Sequence, residues 1–132
     1  MTESFAVRAR GLTKTYGGFT ALDDIAFSVP KGSLCGLVGP NGAGKSTALK
    51  SLVGLCDAQG EIAVLGQDPR RNRARLMKDA CFVADVGVLP RTLRASEILS
   101  YVADVHPRFD RDRAETHLGA AGINLRKRVK QL

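Results

Sequence analysis

The sequence predicts an α/β fold built around a phosphate-binding loop, and three observations carry that prediction. The stretch Gly39-Pro40-Asn41-Gly42-Ala43-Gly44-Lys45-Ser46-Thr47 fills the pattern G-x-x-x-x-G-K-[ST] of the P-loop, or Walker A motif. The run before it, Ser33-Leu34-Cys35-Gly36-Leu37-Val38, is uncharged and mostly apolar and follows the turn Pro30-Lys31-Gly32, the pattern of a buried parallel strand. After it, Ala48, Leu49, Leu52 and Val53 recur at helical spacing, and Gly54 stands where a helix would be capped. Strand, loop and helix therefore occur in the order the motif requires.

The spacing follows from the chemistry. A polyphosphate needs several main-chain N–H groups aimed at one point, and glycines let the backbone come close at unusual φ. Lys45 is placed to supply a cation for the β- and γ-phosphates. Ser46 offers a hydroxyl to Mg²⁺, and a helix that starts here points its positive end at the anion.

The motif as it stands, Gly-Pro-Asn-Gly-Ala-Gly-Lys-Ser-Thr, resembles the Walker A of ATP-binding cassette (ABC) transporter ATPase domains more than that of GTPases, nucleotide kinases or helicases. The resemblance implies a P-loop NTPase of ABC type. Its parts would be a small antiparallel β part, an incomplete, mostly parallel core sheet and the start of a helical subdomain.

Composition fits one soluble globular unit with a real core: 132 residues, 44% hydrophobic and 25% charged. No signal peptide and no run long enough to span a bilayer is visible, so a cytoplasmic protein is expected. Cys35, Cys56 and Cys81 lack metal-ligand spacing and sit among apolar residues, which reads as reduced core cysteines. The net charge of +7 comes largely from Arg70, Arg71, Arg73, Arg75 and Lys78 and from Arg126, Lys127, Arg128 and Lys130. Such runs are usually solvated faces, and neither has the interleaved aromatics of a base-stacking surface.

Along the chain, Phe5, Val7 and Ala9 alternate with Ala6, Arg8 and Arg10 as in a half-buried strand, and a second strand carries Ile25, Phe27 and Val29 up to Pro30. Tyr16, between them, is similar in placement to the ABC aromatic residue that stacks on adenine. Its plainer reading is a half-exposed tyrosine ending an edge strand. Asp23 and Asp24 make no paired-carboxylate site, because adjacent strand residues point to opposite faces. Gly60–Gly66 reads as a short strand that matches the family pattern, and Pro69 opens a basic helix through about Met77 with its charged face exposed.

Ala80-Cys81-Phe82-Val83-Ala84-Asp85 is an apolar strand ending in an acid, and it admits two readings. In a generic P-loop enzyme it would be Walker B, with Asp85 holding the water shell of Mg²⁺. In an ABC domain the same place is the Q-loop, and that reading is favoured because Val86, not Glu, follows. Asp85 then replaces the family Gln at the metal- and water-sensing position. Further on, Ile98, Leu99, Val102 and Val105 mark a helix that Pro107 ends, and Ala114, Leu118 and Ala121 mark a second, from about Arg111 to Ala121 before Gly122. This pair resembles the ABC helical subdomain. His106 and His117 have no partners at ligand spacing and read as surface residues. Val129-Lys130-Gln131-Leu132 resembles the approach to the family signature Leu-Ser-Gly-Gly-Gln.

The resemblance implies a nucleotide-binding core over 1–84, a Q-loop region over 85–93 and the start of the helical subdomain over 94–132. It implies an ATP-binding subunit of an ABC transporter that binds MgATP through Tyr16 and Gly39 to Thr47. Lys45 and Asp85 would be its catalytic residues, and Ser46 and Asp85 its metal ligands. A membrane transporter subunit and a second ATP-binding subunit are the implied partners, at the inner face of the membrane. As given, the chain lacks the signature and the later Walker B, so an unfinished sheet and no full ATP turnover are expected. The alternatives are a non-catalytic nucleotide-binding module and a soluble ABC ATPase acting on nucleic acid or ribosomes, which the basic clusters suit.

Overall fold

The computed structural model describes residues 4–84 and 87–132, and the chain divides into two compact units, Met1–Phe82 and Val83–Leu132.

In the first unit, β1 (Phe5–Tyr16) and β2 (Phe19–Pro30) form an antiparallel hairpin. Its two-residue turn is Gly17-Gly18, both at positive φ, as tight hairpin turns require. β3 (Gln59–Val64) pairs antiparallel with the other edge of β1, giving the order β2-β1-β3. The expected alternation is interrupted where the register of the hairpin shifts, between Phe5 and Val7, Ala9 and Leu12, Leu12 and Lys14, and Lys14 and Thr15. Ala9 and Leu12 are both buried although they are three positions apart, an odd offset that in a regular strand puts side chains on opposite faces. A bulge between them, with Gly11 at φ 61°, adds a residue and turns Leu12 onto the face of Ala9. In β2 the register shifts again beyond Ile25, where Asp24 takes φ 45° and donates its N–H to Thr13 Oγ1 at 3.0 Å. Asp23 and Asp24 are both exposed, Asp24 within this bulge.

Helix α1 (Lys45–Leu52) packs Ala48 into the core formed by Ala9, Leu12, Leu22, Ala58, Ile62, Val64 and Leu76. It ends at Gly54 as the sequence predicts. Leu55 N–H donates to Lys50 O at 2.9 Å and Gly54 N–H to Ser51 O at 3.1 Å, a complete Schellman cap with Gly54 at φ 67°. A Cβ at Gly54 would stand 2.4 Å from Pro69 O, so this cap is also where α2 (Pro69–Leu76) rests. Asp68 caps α2 by accepting from Arg70 N–H, and Pro69 occupies the position where a missing N–H costs nothing. The basic face is exposed, but two of its arginines hold the fold. Arg70 pairs with Asp68 at 2.9 Å and donates to Ala58 O and Gly60 O. Arg73 Nε donates to Val53 O at 3.1 Å.

Two expected strands are not formed. Ser33–Val38 is irregular and exposed throughout, with Leu34 at 102% and Val38 at 95% of full exposure. Ala80–Ala84 is also irregular. Apolarity permits a parallel strand, but a strand exists only in a ladder, and no described strand pairs with either run. The cysteine expectation needs the same correction. All three thiols are free, but Cys35 and Cys81 are exposed and Cys56 is half-buried, so they are not core residues.

The second unit holds α3 (Ala95–Val105) and α4 (Arg111–Ala120), followed by a 3₁₀ turn at Val129–Gln131. Glu97 caps α3 by accepting from Arg94 N–H at 2.6 Å, and Asp110 caps α4 by accepting from Arg113 N–H at 2.9 Å. α3 stops before Pro107, and Gly122, at φ 70°, closes α4 in a second Schellman cap through Ile123 N–H and Leu118 O. Ala95 and Leu99 are buried, whereas Val105 and Ala121, expected on the apolar faces, are exposed. His106 is half-buried and His117 exposed. The loop before α3 is tied to the last residues by Val129 N–H to Leu93 O, Lys130 N–H to Arg91 O and Ala95 N–H to Lys127 O.

Candidate functional site

The loop Gly39–Gly44 runs into α1 with the backbone its glycines allow. Gly42 takes φ 85° and Gly44 takes φ 83°, the left-handed region that side chains with a Cβ rarely adopt. Gly44 is the residue before the helix and has no side chain to cap it. The N–H groups of Lys45, Ser46 and Thr47 therefore open α1 with no intrahelical acceptor. They lie at the positive end of the helix dipole. One reverse turn, Ala43 N–H to Pro40 O at 3.2 Å, folds the loop on itself.

Lys45 closes the arrangement. Its Nζ donates to Gly39 O and to Pro40 O, both at 2.7 Å, so the first helical residue reaches back across the loop to its start. Carbonyls are weaker acceptors for an ammonium than phosphate oxygens are. A cation, a row of unused N–H donors and two glycines at positive φ form a cradle whose chemistry fits a polyphosphate. The loop is exposed from Gly39 to Ala43, and so is Ser46. An open groove of about 260 Å³ flanks it, lined in part by Leu22, Leu37, Val38, Gly44 and Lys45.

For a divalent cation the described residues offer the Ser46 hydroxyl, and no group of three or more His, Cys, Asp or Glu side chains comes together among them. Such a donor set suits Mg²⁺ held mainly by phosphate oxygens and water. Asp85, the expected acidic ligand, lies outside the described residues.

Tyr16 ends β1 and is half exposed, with Lys14 Nζ 5.1 Å from the centre of its ring. The Tyr16 hydroxyl lies 3.0 Å from Cys56 Sγ. That contact, together with desolvation, raises its pKa above the usual tyrosine value, while the Thr47 hydroxyl acts in the opposite direction. Tyr16, of the sequence-derived set, is thus held at its hydroxyl by Cys56. Cys56 is the addition that sequence reasoning did not supply. Lys14 at i, i+2 from Tyr16 on one strand could have been read from the pattern, but nothing in the sequence links Cys56 to a tyrosine before the P-loop.

Comparison with known proteins agrees with this architecture. The family model described as ABC transporter matches residues 22–131. The probable multidrug ABC transporter ATP-binding protein YbhF of Escherichia coli is 35% identical over 101 residues, 76% of this chain and 18% of its own length. The Nod factor export ATP-binding protein I of Mesorhizobium japonicum is 45% identical over 87 residues, 65% of this chain and 24% of its own. The chain thus spans less than a third of these relatives. Among solved structures, a putative ABC transporter ATP-binding protein from Pyrococcus furiosus aligns with a TM-score of 0.74 at 23% identity, over 96% of this chain and 62% of that one. An ATP-binding subunit of an ABC transporter aligns with a TM-score of 0.69 at 26% identity, over 80% and 44%. No helix of the described residues is long and apolar enough to cross a membrane. With a phosphate cradle of this form and a family match over most of its length, the chain belongs to the ABC transporter family.

Proposed function

We propose that this chain is the N-terminal part of an ATP-binding subunit that powers an ABC transporter, and that it binds MgATP at Gly39 to Thr47. The reading rests on Lys45 Nζ, held over the loop at 2.7 Å from Gly39 O and Pro40 O, beside the unused N–H groups of the first helical turn. Lys45 exchanges those carbonyls for the β- and γ-phosphates. Gly42 and Gly44 let the main chain approach, Pro40, Asn41 and Ala43 shape the loop, and Thr47 completes it. Ser46 contributes its hydroxyl to Mg²⁺, Asp85 takes the metal- and water-sensing position, and Tyr16 offers its ring to adenine. The metal supplies charge neutralisation at the phosphates when it is bound.

In this reading 1–84 is the nucleotide-binding core, 85–93 the Q-loop region and 94–132 the start of the helical subdomain. A membrane transporter subunit and a second ATP-binding subunit complete the assembly, at the inner face of the membrane. Calorimetric titration with MgATP tests it. Lys45→Ala should lose at least tenfold in affinity while its circular dichroism stays that of the parent, since the side chain lies on an exposed loop. Equal affinity in the folded variant overturns the proposal.

One observation favours a second reading, action on nucleic acid. Main-chain hydrogen bonds bring the Arg91–Arg94 loop against Arg126–Lys130, which gathers Arg91, Arg94, Arg126, Lys127, Arg128 and Lys130 in one exposed basic region. RNA or DNA binding that weakens steeply with salt would support it, and co-purification with a membrane protein would oppose it.

A further inference from the structure

The half-exposed ring at the end of β1 is held by a residue forty positions further on, Cys56, whose Sγ is 3.0 Å from Tyr16 Oη. Cys56 follows the Schellman cap of α1, in which Leu55 N–H donates to Lys50 O at 2.9 Å. The same helix opens with the phosphate cradle. Thiol, ring and phosphate loop are therefore fixed to one helix.

The link has a consequence for binding. A tyrosine next to a hairpin turn, exposed over half its surface, would move among staggered χ1 rotamers. A base stacking on it would have to arrest that motion, at a cost in affinity. A hydrogen bond at the far end of the ring fixes it beforehand, because the hydroxyl is the atom displaced most when χ1 changes. Lys14 over the ring adds a second, weaker restraint.

We infer that Cys56 is a positioning residue for the nucleotide base: its hydrogen bond to the Tyr16 hydroxyl holds the ring in the orientation in which it stacks. The inference rests on the reading of Gly39–Thr47 as a nucleotide site and assigns to that site a residue on the base side. Cys56 touches neither phosphate nor metal in this scheme, so its effect must follow the base and not the triphosphate.

Titration of the full chain with MgATP and with magnesium tripolyphosphate, which has no base, separates the two. Cys56→Ala should bind ATP about three- to tenfold more weakly, the worth of one ordinary hydrogen bond, and bind tripolyphosphate as the parent does. Cys56→Ser, which keeps a hydrogen-bonding group, should recover most of the loss. Tyr16→Phe should match Cys56→Ala, and the double variant should be no worse than either single one, as two ends of one bond require. Lys45→Ala serves as the contrast, losing both ligands. The inference is overturned if Cys56→Ala leaves ATP affinity unchanged, if it weakens ATP and tripolyphosphate equally, or if the two losses add. A parent chain that binds tripolyphosphate no less tightly than ATP refutes the base contact while leaving the phosphate site standing. Binding of neither ligand refutes both.

Discussion

Gly44 lies so close to β2 that a Cβ on it would stand 2.2 Å from Ala21 O and 2.9 Å from Leu22 Cδ2. The residue that turns the loop into α1 is thus also the point where the loop rests on the sheet. Backbone conformation and close approach impose glycine independently, since φ is 83° there. Gly44→Ala should cost more than about 2 kcal/mol, combining left-handed strain with displacement of the loop from β2. Urea denaturation gives the stability. By contrast, Gly42→Ala meets no atom within 4 Å and carries only the strain of its φ, so it should cost clearly less. Equal losses would mean that the contact with Ala21 contributes nothing.

The contrast between buried and exposed leucines gives a second test. Leu12 is fully buried in the sheet core and Leu34 fully exposed, at 0% and 102%. Leu12→Ala should cost about 2–5 kcal/mol through lost burial and the cavity left behind. Leu34→Ala should change stability by no more than about 0.5 kcal/mol. A large loss at Leu34, measured in the same way, would show that Ser33–Val38 packs as the strand its apolar pattern suggests.

The loop and its flanking helix were legible because their signals are local. Glycines at Gly42, Gly44 and Gly54 and the cation at Lys45 are demanded by backbone geometry within a few residues. The hairpin strands were legible by period, but the bulges at Gly11 and Asp24 were not, because a phase change shows only when both strands are seen together. Ser33–Val38 and Ala80–Ala84 were misread for a related reason. A buried parallel strand is defined by neighbours, and sequence reports only the strand's own apolarity. Cys56 was missed because its partner, Tyr16, is distant in the chain, and Asp85 lies outside the described residues.

Ser46 gives a prediction specific to the metal. Ser46 is exposed in the first turn of α1. If it contributes an oxygen to Mg²⁺, Ser46→Ala should bind MgATP about tenfold more weakly, and ATP in the presence of a chelator as well as the parent does. Calorimetry under the two conditions checks this. Equal weakening in both would place the hydroxyl's role in the loop and not at the metal.

The ion pair that caps α2 predicts a pH dependence. Arg70 donates to the Asp68 carboxylate from Nε at 3.0 Å and from its terminal nitrogen at 2.9 Å, and its main-chain N–H donates at 2.9 Å as well. These contacts, the Arg70 side chain first, hold the Asp68 pKa below the usual carboxylate value, with desolvation acting against them. The folded value is the lower one, so the stabilisation is complete above the unfolded value of about 3.9. It is lost as pH falls through the folded value. Asp68→Asn keeps the helix cap and removes only the charge, because asparagine caps about as well as aspartate. At neutral pH the variant should be less stable by about 1 kcal/mol or less, since the pair is about a quarter exposed, at 26% and 29%, and is screened by solvent. In acid, as pH falls through the lowered folded value, the difference should shrink towards zero, because Asp68 then loses its charge in the parent. Paired denaturation curves at neutral and acid pH decide the matter. A deficit that persists undiminished in acid would show that the cap geometry, and not the charge on Asp68, joins α2 to the Ala58 and Gly60 carbonyls through Arg70.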